Sequence, residues 1–228
     1  MSEALHSAVL ETLGREITAG TLAAGDVLTL ERLQRRFEIS RTVARECMRL
    51  LEQLQLVTSR RRVGIVVRSA DDWDVLDPRV IRWRLRGPGR AAQLRSLTEL
   101  RDAVEPLAAA RAAMYATDVE RADIAALGAE LVVAAELGSP EDYLALDIAF
   151  HTALLHASRN EMFAALTEVV AEVIAGRAQA ASDPKLASPE AHETVAQAVL
   201  AGDAPGAELA MRAILTEVRV SIAGLDGR

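Results

Sequence analysis

The sequence predicts a mostly α-helical protein in two parts, a small N-terminal module that ends in a β-hairpin and a larger all-helical antiparallel bundle. Half of the 228 residues are apolar but only 3% are aromatic. Alanine, leucine and valine must therefore fill the core, and this composition favours closely packed helices over a β-sandwich or barrel. Apolar residues recur at helical spacing through most of the chain, whereas β-rich runs occur only around residues 56–67.

Residues 1–68 are predicted to form three helices and a hairpin. The first helix has one apolar stripe, formed by Leu5, Val9, Leu13 and Ile17. Thr29 suits the N-cap of a short second helix, and Ser40 suits the N-cap of a third. Two β-rich runs flank a basic tip that contains Gly64, which predicts a hairpin. Helix, short helix, tight turn, helix and basic hairpin together form the arrangement of a winged helix-turn-helix.

The third helix presents side chains that are suited to duplex DNA. Arg41 and Arg45 lie one turn apart on the same face, and arginine binds guanine bidentately in the major groove. Ser40 and Thr42, near the start of the helix, suit phosphate oxygens. The hairpin tip adds the candidates Arg60, Arg61, Arg62 and Gly64. The alternative is that these arginines form the solvated face of an ordinary three-helix module.

Charge and composition narrow the class of protein further. Residues 1–68 carry a net charge of +3 and residues 69–228 a net charge of −10, so only the N-terminal part suits a polyanion. No apolar run approaches the roughly 20 residues that cross a bilayer, and the N-terminus lacks a secretory signal. We therefore expect a cytoplasmic protein without membrane contact. Cys47, the single cysteine, is predicted to be a small core residue.

Residues 69–90 are predicted to form a connector that docks on one or both domains. Asp77-Pro78 and the glycines around Pro88 interrupt the segment. Trp73 and Trp83 argue against a flexible tether, because large aromatic side chains gain most when they are buried.

Residues 91–228 are predicted to form six helices and no strand. The helices are expected at about 91–116, 118–137, 140–157, 160–181, 189–201 and 203–224. Their predicted N-caps are Asp118, Ser139, Asn160, Ser188 and Asp203.

Three side chains in this second part predict a candidate metal site. Asp147 and His151 are four residues apart on one helical face, and His192 on a later helix can add a third ligand. An arginine facing such a pocket, Arg101, would hold a carboxylate ligand through two N–H groups. Structural explanations remain open, since Asp147 and His151 can form an ordinary helical pair and Arg101 can pair with Asp102 or Glu105.

The N-terminal motifs resemble the DNA-binding domain of the GntR family. The resemblance rests on Leu30-Glu31-Arg32, on Ile39-Ser40-Arg41-Thr42-Val43-Ala44-Arg45-Glu46, and on the following leucine-rich stretch. It covers roughly residues 5–68. The resemblance implies that Arg32, Arg41, Arg45 and the wing tip at Gly64 contact DNA.

The second part resembles the FCD effector domain of FadR-type regulators in that family. The similarity runs from Arg101-x-x-x-Glu105 through Asp147-x-x-Phe150-His151 to His192. Many such domains bind a metal through one acid and three histidines, with a carboxylate effector above it. Asp147, His151 and His192 match three ligands, but Ile214 stands where the third histidine is expected. The resemblance therefore leaves open whether a divalent metal (Zn, Ni, Mn or Fe) or the effector alone occupies the site.

Residues around Trp73, Trp83 and Arg101 resemble the group of galactonate-operon repressors. The resemblance implies a homodimeric repressor of a sugar-acid operon, bound to a palindromic operator and released by a small carboxylate. Arg219 is a further candidate for the effector carboxylate. An acyl-CoA or a small acid such as lactate is the alternative effector. A metal-dependent enzyme that uses Asp147, His151 and His192 is the alternative function.

Overall fold

The structure, a computed structural model, describes residues 2–178 and 188–223. The chain divides into two compact units, Met1–Arg90 and Ala91–Arg228. Nearly all regular structure is helical, and the three strands found in the described residues form one small sheet. The mostly α-helical fold with an N-terminal winged helix-turn-helix and a C-terminal helical domain is confirmed.

The N-terminal unit contains four helices and the sheet. The helices are α1 (Ser2–Thr18), α2 (Leu30–Phe37), α3 (Arg41–Gln53) and α4 (Pro78–Leu85). The strands are β1 (Val27–Leu28), β2 (Val57–Arg60) and β3 (Gly64–Val67), and they pair antiparallel in the order β1-β3-β2. The predicted hairpin is β2 and β3. Strand β1 was not predicted, because two residues are too short for a period-2 pattern to be read.

The caps of the helix-turn-helix are formed as predicted. The Thr29 hydroxyl accepts a hydrogen bond from the Arg32 amide, and the Ser40 hydroxyl accepts one from the Val43 amide. Between the two helices Glu38 adopts a left-handed conformation with φ of 53°. This single residue reverses the chain, so α2 and α3 are joined by a tight turn.

The core of the N-terminal unit lies between α1, α3 and the sheet. Its fully buried members include Leu13, Ala44, Cys47, Leu51 and Leu56. The prediction that Cys47 is a core residue is therefore confirmed, and burial raises the pKa of its thiol to about 11.

The connector contains a helix that the sequence analysis missed. Asp77-Pro78 was interpreted as an interruption, but Asp77 is the N-cap of α4 and its carboxylate accepts a hydrogen bond from the Arg79 amide. Proline is favoured at the first helical position, where its missing N–H costs nothing. Trp83 of α4 is buried in the core of the N-terminal unit, and its indole N–H donates to Glu11 of α1 at 2.6 Å.

The second unit contains seven helices in its described part. They are α5 (Arg90–Tyr115), α6 (Asp118–Glu136), α7 (Pro140–Ala157), α8 (Glu161–Ala164), α9 (Thr167–Ala178), α10 (Pro189–Ala201) and α11 (Ala204–Ala223). Helix α6 packs on α7 and α10, α10 packs on α11, and α7 packs on α9. None of the helices within the described ranges is long and apolar enough to span a membrane.

Two boundaries in this unit differ from prediction. The helix predicted over 160–181 is divided, because the Leu166 amide donates to the Phe163 carbonyl in a tighter turn and the Thr167 hydroxyl donates to the Ala164 carbonyl. Its predicted last residues, 179–181, lie outside the described residues. The N-cap of α6 is Thr117 rather than Asp118, since Thr117 and Glu120 form a reciprocal capping box.

Small residues allow close helix packing within this unit. The alanines of α5 at 108, 109, 112 and 113 are completely or almost completely buried. A Cβ at Gly128 of α6 would lie 2.6 Å from the Ala196 Cβ of α10, so only glycine permits this approach. The alanine-rich stretch of α5 thus packs largely within its own chain.

Candidate DNA-binding surface and effector site

Helix α3 presents two free guanidinium groups to solvent. Arg41 and Arg45 are exposed, and neither has a hydrogen bond or ion pair with any described residue. By contrast, Arg36 is bound to Glu16 and Arg49 lies 3.4 Å from Glu46. Thr42 is exposed between the two free arginines. The predicted base-reading face therefore carries cations that no protein carboxylate neutralises.

The wing, which is formed by β2, β3 and the turn between them, also exposes arginines. Arg60 ends β2, and the tip between β2 and β3 consists of Arg61, Arg62 and Val63; all four residues are exposed. Gly64 has φ of 124°, and a Cβ there would lie 3.0 Å from Val27 and 3.1 Å from the Leu28 carbonyl. Gly64 was predicted for close approach to DNA, and the structure gives it a role in strand pairing as well.

Two other DNA-binding candidates also have structural partners. Arg32 is exposed and one of its terminal nitrogens donates to the Val27 carbonyl at 3.4 Å. Ser40 is exposed while its hydroxyl caps α3. Each can still offer a donor to phosphate, because a guanidinium has five N–H groups and a hydroxyl can donate while it accepts.

The second unit encloses a polar cluster, defined here as Arg101, Glu105, Asp147, His151 and His192. All five residues are at most 3% exposed. Arg101 and Glu105 are one turn apart on α5, Asp147 and His151 are one turn apart on α7, and His192 lies on α10. The structure thus brings together four of the five predicted effector residues and all three predicted metal ligands.

Both imidazoles of the polar cluster direct Nε2 toward Asp147. His151 Nε2 lies 3.2 Å from Asp147 Oδ1, and His192 Nε2 lies 3.3 Å from the same oxygen. On the other side of each ring, His192 Nδ1 lies 3.0 Å from the Ser188 carbonyl, and His151 Nδ1 lies 2.7 Å from Glu105 Oε2. For His192, the carbonyl beside Nδ1 fixes the proton there and leaves Nε2 as the ligand atom, as in metal-binding histidines. His151 Nδ1 lies at ion-pair distance from Glu105 but forms no hydrogen bond with a described residue.

The three inward atoms fit a metal ion. Asp147 Oδ1 and His192 Nε2 are buried and form no hydrogen bond in the described structure, and the ligand atoms of Asp147, His151 and His192 all lie within 4.8 Å of one another. Converging acceptors repel one another unless a proton or a cation lies between them. The donor set of two imidazoles and one carboxylate suits several divalent metals.

Burial and neighbouring charge shift the pKa values in the polar cluster. Burial alone would raise the pKa of Glu105, but the charges of Arg101 and His151 lower it to about 2. The pKa of Asp147 is likewise lowered, against its burial, by His151 and His192. The pKa of His151 is raised because Glu105 and Asp147 outweigh its burial. Glu105 and Asp147 thus favour the protonated form of His151.

Two residues of this region were not predicted as site residues. Glu105 accepts from Arg101 Nε at 2.5 Å and from Nη2 at 3.2 Å, so the alternative explanation of Arg101 as half of an ion pair is correct for this structure. Arg177 of α9 is the second, and its charge interacts with Arg101, Asp147 and Glu105. The sequence could have indicated Arg177, because it follows Ile174 by three residues and Val173 by four and so lies on the apolar face of its helix.

Arg219 is not part of the polar cluster. Its side chain is 64% exposed, and Nη1 lies 3.7 Å from Asp102. Ile214, at the position expected for a third histidine, is buried among apolar side chains. Among the side chains of α11 that the structure describes, none joins Asp147, His151 and His192 as a fourth ligand.

Comparison with known proteins gives two family matches. The model of bacterial regulatory proteins of the gntR family matches residues 5–67, and the FCD domain model matches residues 96–217. The second match alone spans more than half of the chain.

Individual relatives agree with these matches. The galactonate operon transcriptional repressor of Escherichia coli (strain K12) is 29% identical over 166 residues, which is 72% of each chain. The HTH-type transcriptional regulator Rv0494 of Mycobacterium tuberculosis is 31% identical over 216 residues, 91% of this chain and 85% of that one. Among solved structures, the regulator Lar of Listeria monocytogenes superposes with a TM-score of 0.62 at 18% identity, covering 96% and 97% of the two chains.

The free arginines of α3 and the wing thus belong to a DNA-binding head, and the polar cluster lies inside the residues matched by the FCD model. The metal-dependent enzyme considered from the sequence is set aside, because domains and relatives alike are those of regulators. The chain belongs to the GntR family and is a DNA-binding transcriptional regulator with an FCD ligand-binding domain.

Proposed function

We propose that this regulator is a homodimeric repressor of a sugar-acid catabolic operon, released from a palindromic operator by a small carboxylate. The observation that carries the proposal is the buried polar cluster of the FCD domain. The similarity to the galactonate operon repressor supports the choice of a sugar acid.

The charge balance of the polar cluster favours an anionic effector. Glu105 is paired with Arg101, and the charges of Glu105 and Asp147 also interact with that of Arg177. A proton on His151 then leaves an excess of positive charge, and a divalent cation in its place leaves a larger one. An anion that enters this region neutralises the excess where screening by water is weak.

We further propose that Asp147, His151 and His192 hold one divalent metal ion, such as Zn, Ni, Mn or Fe. Three protein ligands leave coordination positions open. Bound there, the metal would supply a Lewis-acidic centre for a carboxylate or hydroxyl oxygen of the effector. Glu105 and the Ser188 carbonyl hold the two histidines in the orientation that this requires.

Release from DNA follows from linkage between the two domains. In a dimer, two recognition helices contact half-sites about one helical turn apart, so a small change in their spacing costs much of the specific affinity. The effector shifts the equilibrium only as far as it binds one state more tightly than the other.

A small organic acid such as lactate is the alternative effector, because the same charges would hold any compact carboxylate. An acyl-CoA is disfavoured, because its chain needs a long apolar tunnel and the cluster is polar. Sugar acids and small acids such as lactate differ in the hydroxyl groups that they offer to a metal, so the effector test must include both.

Fluorescence anisotropy on DNA from upstream of the gene tests the proposal. The complex is titrated with gluconate, galactonate, their 2-keto-3-deoxy derivatives and lactate, with and without EDTA. We expect one sugar acid to release the DNA and EDTA to weaken that response. Release by lactate alone would overturn the sugar-acid assignment, and an unchanged response in EDTA would overturn the metal. Light scattering of the free protein tests the dimer directly.

A further inference from the structure

Arg177 continues the core-facing side of α9. Val170, Val173 and Ile174 are buried, and Arg177 follows them at intervals of seven, four and three residues, which places it on the same helical face. Its side chain is only partly exposed. The chain therefore directs a cation toward the interior of the domain from a helix that packs on α7.

The guanidinium of Arg177 has no hydrogen bond or ion pair among residues 2–178 and 188–223. Other partly buried arginines of the unit have hydrogen-bond partners, since Arg111 donates to the Ser158 carbonyl and Arg121 donates through Nη2 to the Ala113 carbonyl, although Arg121 Nε has none. Burial lowers the pKa of Arg177, and the nearby charge of Arg101 lowers it further, but a guanidinium remains charged in proteins. Such a group is costly to bury until an anion joins it.

Arg101 is less suited to receive an anion. Two of its nitrogens, Nε and Nη2, bind Glu105, and Nη2 also lies 3.4 Å from His151 Nε2. Only Nη1 is left without a partner, and the side chain is 2% exposed. A carboxylate would have to displace Glu105 to reach the paired edge of this guanidinium.

We propose that Arg177, rather than Arg101, is the residue that binds the carboxylate of the effector. The proposal rests on the proposed function insofar as it assumes a small anionic effector in the FCD domain. With respect to the described residues, Arg177 offers an unpaired set of parallel N–H donors, which match the two oxygens of a carboxylate. Arg177 lies on the core-facing side of α9, which packs on α7, the helix of Asp147 and His151, and its charge interacts with those of Asp147 and Tyr143.

Thermal denaturation of the full-length protein tests the assignment. Wild type, Arg177→Gln and Arg177→Lys are titrated with acetate, lactate, citrate, gluconate and galactonate, and with the uncharged amide of whichever acid stabilises. Arg212→Gln is the matched control, because Arg212 lies on α11, is 57% exposed and pairs with Glu208. We expect a saturable upward shift of Tm with at least one acid and none with its amide.

For Arg177→Gln we expect affinity for that acid to fall about 10- to 100-fold, the range for a lost charge-assisted hydrogen-bond pair. Arg177→Lys should lie between this variant and wild type, and Arg212→Gln should match wild type. Undiminished affinity in Arg177→Gln overturns the assignment, as does a wild type that no acid stabilises. DNA anisotropy distinguishes failure of this assignment from failure of the proposed function. If a sugar acid releases DNA equally from wild type and Arg177→Gln, the proposed function stands and only the role of Arg177 fails.

Discussion

The indole ring of Trp83 lies directly over Gly14. A Cβ at Gly14 would come within 2.4 to 2.6 Å of three atoms of the ring, which is far inside van der Waals contact. The ring cannot easily yield, because Trp83 is buried and its N–H is bound to Glu11 on the same helix as Gly14. Because Gly14 has no side chain, α4 can pack closely on α1 in the core of the DNA-binding unit.

Gly14→Ala is therefore expected to destabilise the N-terminal unit by about 1–3 kcal/mol, the usual cost of overpacking. Both tryptophans of the chain, Trp73 and Trp83, belong to this unit, so denaturation followed by tryptophan fluorescence reports on it. Gly89→Ala serves as the control, since nothing lies within 4 Å of a Cβ there. Equal midpoints for the two variants would show that the ring moves without cost.

Arg45→Ala is expected to weaken specific DNA binding by about 1–3 kcal/mol, the discrimination of one bidentate base contact. Folding stability should change by less than about 0.5 kcal/mol, because Arg45 is exposed and unpaired. Arg49→Ala, one turn further on the same helix and paired with Glu46, is the control. Anisotropy on operator and on scrambled DNA separates a base contact from a phosphate contact, which would weaken both equally.

The sequence predicts those features of the structure that depend on residues close together in the chain, and it fails where the interacting residues are far apart. The caps at Thr29 and Ser40 depend on residues three positions away, and both are formed as predicted. Helix α4 was missed because its apolar side chains are explained only by α1, some 70 residues earlier. In the polar cluster, the residue types identified Asp147, His151 and His192. Outside it, the unpaired state of Arg177 among the described residues depends on how α5 and α7 place their side chains, and no sequence spacing reveals it.

The raised pKa of His151 predicts a pH dependence for the metal-free protein. A group whose pKa is higher when folded than the ordinary 6.5 stabilises the fold fully below that value, and the stabilisation is lost as pH rises through the folded pKa. In EDTA, the free energy of unfolding should therefore decrease as pH rises above 6.5. Glu105 does not interfere, because its pKa near 2 makes its stabilisation constant over this range and lost only in acid.

His151→Gln should flatten this pH dependence, while His156→Gln, at an exposed position of the same helix, should preserve it. Denaturation is followed by far-UV circular dichroism, which reports on all helices, and by tryptophan fluorescence, which reports on the N-terminal unit. Comparing the two signals separates unfolding of the helical domain from unfolding of the N-terminal unit. A slope that survives in His151→Gln would place the titrating group elsewhere.

A metal ion competes with a proton for His151 Nε2, since only an unprotonated nitrogen is a ligand. The apparent affinity for Ni²⁺ or Zn²⁺ should therefore rise about tenfold per pH unit below the raised pKa and level off above it. Isothermal titration in two buffers of different ionisation enthalpy should show about one proton released per metal ion. Asp147→Asn keeps the shape of the side chain but removes the shared carboxylate, so it should weaken binding at least about tenfold. His156→Gln should bind as wild type does, and equal affinity in Asp147→Asn and wild type would show that the metal binds at another site.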